Sequence, residues 1–155
     1  MSSRGRCERK AEDAVRRVRT VTGPLNTRRH PSAEPVADPE SDPRLDEGIR
    51  LFNEGHRWHA HEAWEPLWMG LDGEDKLFLQ GLIMAAAMLH QYGRGVPGGV
   101  ASHWENVRQR IPPTLRERWG VDAAALLRDL APYAEDAAAG RPLARDPKAV
   151  RIKRR

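Results

Sequence analysis

The stretch Leu77–Tyr92, LFLQGLIMAAAMLHQY, decides the fold. At about 100° per residue its apolar side chains fall on nearly every face of a helix, and such a helix needs neighbours on all sides. It predicts a central, buried helix over roughly residues 75–92. The longest apolar run, Leu77 to Leu89, is too short and too interrupted to cross a bilayer, which takes about 20 apolar residues. A water-soluble protein without a membrane span is expected, in line with 39% hydrophobic and 31% charged residues.

Outward from this helix the pattern stays helical. Leu45, Ile49 and Phe52 recur at spacings of four and three, which predicts a short helix from Pro43 that Gly55 stops in the left-handed conformation. A second helix runs from about His56 to Met69 and closes at Leu71-Asp72-Gly73. Downstream, GRGVPGG is a loop without the Lys-Ser/Thr ending or the preceding strand of a phosphate loop. Val100 to Ile111 is a fourth helix, stopped by Pro112-Pro113. Val121-Asp122 opens a fifth, interrupted by Pro132 and ended by Gly140. No segment alternates with period two over β-branched residues, so a sheet is not expected. The short Gly-containing turns loosely resemble tetratricopeptide hairpins, but there is no repeat period. The expected fold is all-α, a compact antiparallel bundle of about five helices built from helical hairpins, with disordered basic tails.

Three parts follow along the chain: a disordered basic, Pro-rich segment over 1–43, a helical domain over 44–145, and a basic tail over 146–155. Residues 1–30 hold nine basic residues against three acidic, and residues 148–155 hold five against none. With a total of +4, the middle is net acidic. These basic ends have no interleaved aromatics to stack on bases, so they read as solubilising segments, with weak electrostatic contact to nucleic acid as their alternative. Cys7 is the only cysteine. That excludes an internal disulfide and a cysteine zinc site, and it fits a reducing, cytoplasmic compartment. No apolar signal peptide is visible at the start.

The chemistry concentrates in Leu51–Trp68, LFNEGHRWHAHEAWEPLW. With Trp58 at zero on a helical wheel, His61 falls at about 300°, Glu65 at about 340° and Glu62 at about 40°, while His59 points elsewhere at about 100°. Trp58 and Trp68 wall this face, and Gln80, which needs partners if buried, faces it from the central helix. Three readings stand for His61, Glu62 and Glu65. They form a structural cluster, with His61 and Glu65 as a hydrogen-bonded pair; a metal site for Zn, Fe or Mn, completed by His90, Gln91, Gln80, His103 or Glu105; or a metal-free acid-base site. In the last, His61 is the base or a ligand, Glu65 orients it and Glu62 is the acid. The zinc-peptidase pattern His-Glu-x-x-His fails, because Glu65 occupies the place of the second His. His90 shares a face with Leu79, Ile83 and Ala87 and reads as a core histidine. The sequence alone names no partner for His56, His59 or His103. Pro66 should bend the last turn of its helix.

These motifs resemble the family catalogued as domain of unknown function 309. The residues are Leu51-Phe52-Asn53, Gly55, Trp58, Ala60-His61-Glu62, Glu65, Trp68, Phe78 to Ile83, Arg94-Gly95 and Gly99, and the similarity covers about residues 44–110. The chain departs at Arg57, His59, Pro66 and Val96. The family's histidine late in the third helix falls at His90 or Gln91. The resemblance implies an all-helical fold and brings no activity. A homo-oligomeric interaction module, with the polar cluster only fixing a helix, therefore stands beside the enzyme readings.

Overall fold

A computed structural model describes residues 25–155. The expectation for residues 1–24 lies outside the described residues. Five helices follow in order: α1 Pro43–Asn53, α2 Arg57–Met69, α3 Gly73–Gly93, α4 Pro97–Arg110 and α5 Ala123–Ala138. A 3-10 turn over Pro39–Ser41 precedes them.

Local chemistry sets the boundaries. Asp42 caps α1 by accepting from the Arg44 N–H, with Pro43 at the first helical position. Gly55 turns the chain at φ 86°, a conformation costly for any residue with a Cβ. Asp122 caps α5 by accepting from the Ala125 N–H at 2.9 Å. The loops from α1 to α2, α2 to α3 and α3 to α4 are all short, and each helix packs on the next in the chain. That is the hairpin pattern expected of an antiparallel bundle. α3 lies at its centre, with every residue from Phe78 to Leu89 buried. No helix among the described residues is long and apolar enough to cross a membrane.

The structure departs from the sequence expectation in four places. A two-strand antiparallel hairpin, β1 Glu117–Arg118 with β2 Val121–Asp122, sits between α4 and α5. Its turn residues Trp119 and Gly120 have φ 54° and 75°, the positive pair a tight hairpin requires. α5 runs through Pro132 without the expected interruption, whereas α2 ends at Met69 with Pro66 inside it, as expected.

The other two departures concern the ends. Residues 27–36 form a strap over the α2–α3 turn. The His30 N–H donates to the Met69 carbonyl at 2.9 Å, the Val36 N–H to that of Gly70 at 3.0 Å, and the Gly73 N–H to that of Thr27 at 2.7 Å. At the other end, residues 146–155 do not form a solvated tail, because Val150 and Ile152 are buried in the core. Asn53 accepts from the Ile152 N–H at 2.7 Å and donates to its carbonyl at 3.0 Å. Arg57 is buried against the Phe52 ring, 4.0 Å from its centroid, and donates to the carbonyls of Phe52, Pro147 and Val150. Asp136 fixes the preceding stretch, accepting from the Tyr92 hydroxyl at 2.8 Å, Arg141 at 3.0 Å and Arg145 at 2.7 Å.

Candidate functional site

The core direction of α2 is set by its largest apolar residues. Ala60, Trp64, Leu67 and Trp68 are buried and centre on about 240° of the wheel. Trp64 is locked there by its indole N–H, which donates to the Leu45 carbonyl at 3.3 Å, and by Gly48, where any side chain would collide with the indole. His61, about 60° from that direction, is drawn inside. Glu65 lies at the boundary, half-buried, and Glu62 faces solvent. The face thus divides into one buried imidazole, one carboxylate at the edge and one outside.

His61 is 1% exposed, and neither ring nitrogen makes a hydrogen bond. The expected hydrogen-bonded pair of His61 and Glu65 is therefore absent. Burial alone pushes the imidazole pKa down to about 4, so the ring is neutral at pH 7. A neutral imidazole keeps one donor and one acceptor, and both are unmet here.

Trp58 joins two helices at this point. Its ring lies 5.6 Å from that of His61 on its own helix and 4.2 Å from that of His90 on α3, tilted by 48° and 52°. Its indole N–H is also buried without an acceptor. Trp58 and His90 are half-buried, so the edge of this group reaches toward the surface. His59 is exposed and its ring meets His56 edge-on, so geometry sets it apart from His61 as the wheel predicts.

Farther along α2, Trp68 is buried and its indole N–H too lacks an acceptor. The ammonium of Lys76 lies 3.8 Å from its ring centroid and donates to its carbonyl at 3.3 Å. Desolvation lowers the Lys76 pKa to about 8, with Asp72 opposing. Gln80 on α3 and His103 on α4 are buried, Gln91 is half-buried, and Glu105 is exposed. Among the described residues, no three His, Cys, Asp or Glu side chains gather as a metal-ion site.

Sequence reasoning missed four buried charged side chains: Arg57, Lys76, Arg110 and Asp136. A single charged residue in a helical pattern reads as solvated, and only tertiary contacts reveal otherwise. Asn53 was legible as part of a motif but not as the anchor of residue 152.

No curated protein and no solved structure matches the chain. The model for the family described as Domain of unknown function (DUF309) matches residues 45–102, which run from α1 through α2 and α3 into α4 and include Trp58, His61, Glu65 and His90. That segment is similar to the DUF309 family, as its motifs imply.

Proposed function

We propose that the domain is a small-ligand-binding module whose recognition point is the neutral imidazole of His61 beside the indole N–H of Trp58. One observation carries this reading: both ring nitrogens of a buried histidine are unmet, next to a second unmet donor. Buried polar groups are nearly always hydrogen-bonded, and leaving one unsatisfied costs about 1–3 kcal/mol. A histidine kept only for structure would be expected to have its nitrogens paired.

The chemistry of the pair selects the ligand group. One acceptor and two donors on neutral rings suit a hydroxyl or an amide, which both gives and accepts. A charged group would find no compensating charge on His61. The acid-base reading is weaker, since a pKa near 4 makes His61 a poor base at neutral pH.

The test is a panel of small alcohols and amides titrated into the full-length chain, with the Trp58 indole N–H and the His61 ring nitrogens followed by NMR. Binding should move both sets of signals together and saturate. His61→Leu should fold and lose the response. A panel that leaves the Trp58 signal unmoved at millimolar concentrations would overturn the reading.

A further inference from the structure

The end of α4 carries a second unmet group of different chemistry. Arg110 is 3% exposed, and its Nη1 donates to the Asn106 carbonyl at 3.1 Å and to Asn106 Oδ1 at 2.9 Å. Its Nε and Nη2 have no partner, and no carboxylate among the described residues pairs with it. Desolvation lowers its pKa to about 10, which leaves it a cation at pH 7. An unpaired buried charge is costly in a folded protein.

Arg110 is among the residues that line an open cavity of about 350 Å³ between the start of α3 and the chain that follows α4, with its Nε and Nη2 buried behind the wall. Leu77, Phe78, Pro112 and Leu115 give it apolar walls, and Gln109 and Thr114 add polar groups. Gly81 makes the arrangement possible, because a Cβ there would collide with Ile111, the residue after Arg110. At the rim, Arg118 is already held by Asp75, 3.0 Å from its Nε, with Glu74 3.6 Å from its Nη1. The rim thus carries two carboxylates against one guanidinium, and Arg110 is the one guanidinium of the cavity without a carboxylate beside it.

We infer that this cavity is a binding site for a small monocarboxylate with an apolar body, held by the Nε–Nη2 edge of Arg110. Those two N–H groups point side by side, the fork that meets both oxygens of one carboxylate. The single guanidinium without a carboxylate partner matches one carboxylate, and the two acidic side chains at the rim, Glu74 and Asp75, disfavour a dianion such as phosphate. The Pro112–Leu115 turn is the one wall outside a helix or strand, and a ligand reaches the two buried nitrogens only if that turn shifts. This site is independent of His61.

Benzoate is the probe, titrated into the isotope-labelled full chain with the Arg110 Nε–H signal observed by NMR. A saturating shift in the millimolar range or below is expected, with no response to benzamide. Arg110→Lys keeps the charge without the fork and should weaken binding at least tenfold. Arg110→Met should abolish it. Leu115→Trp, which fills the cavity and keeps Arg110, should also block binding and decides the matter if Arg110→Met does not fold. No saturation with benzoate, an equal response to benzamide, unchanged affinity in Arg110→Lys or Leu115→Trp, or equally tight competition by inorganic phosphate would each overturn the assignment.

Discussion

Replacing His61 with leucine should make the protein more stable. At neutral pH the wild-type ring buries two unmet nitrogens, each costing about 1–3 kcal/mol. Leucine fills a similar volume without them, but gives up the ring contact with Trp58, worth about 0.5–1.5 kcal/mol. The net expectation is a gain of about 0.5–5.5 kcal/mol at pH 7, or a rise in Tm of about 2–20 °C for a domain of this size. Acid supplies an independent check. The pKa of His61 is about 4 in the folded protein against an ordinary 6.5. Between those values the unfolded chain binds a proton that the folded one refuses, so wild-type stability falls as pH drops from 6.5 to 4. The depression corresponds to about 3 kcal/mol, all of it absent from the variant. The advantage of His61→Leu should therefore widen on acidification. Urea unfolding followed by circular dichroism at pH 7 and pH 4.5 measures both effects. A variant less stable than wild type at pH 7 by more than about 1 kcal/mol, or a gap that stays constant down to pH 4.5, would refute the reasoning.

Removing residues 147–155 should destabilise the fold strongly. It exposes the contacts of Val150 and Ile152, about 3–6 kcal/mol together, and strips Arg57 of two carbonyl acceptors; a thermal melt within about 1 kcal/mol of wild type would contradict the buried placement. Lys76 titrates near 8 when folded and 10.5 otherwise, so stability should rise as pH goes from about 8 to 10. Above pH 10, Tyr92 and Tyr133, both raised mainly by desolvation, act in the opposite direction. Lys76→Met should flatten that rise, which denaturant titrations across the range would detect. Gly81→Ala should cost about 1–3 kcal/mol through collision with Ile111, despite alanine's better helix propensity. A higher Tm in that variant would mean that α3 and Ile111 do not approach as described.

The helices were legible because their signals are local. The buried centre, the stop at Gly55 and the cap at Asp122 are each written in a few neighbouring residues. What escaped depends on distant partners or on the backbone alone. The strap over residues 27–36 is held by main-chain bonds to Met69 and Gly70, which leave no side-chain signature. Strands of two residues are too short to show alternation. Val150 and Ile152 stand among basic residues, and their burial follows from Asn53 and Arg57, about a hundred positions earlier. At the site, the wheel separated His61 from His59 correctly. It could not tell that Glu62 faces water, because Trp64 and Leu67, not the polar residues, set the inward direction of α2.

The socket around Arg57 also has a history in time. The guanidinium is made 90 residues before the Pro147 carbonyl that receives it. At about 5–20 residues per second, that separates the two by roughly 5–20 seconds of synthesis. Through that interval α1 and α2 can form, yet their cation has no seat and the Phe52 side of the bundle stays open. A chain interrupted there would be largely helical but unclosed, with apolar surface offered to chaperones or to other nascent chains. The closing step of folding thus waits for residues 147–150 to be made.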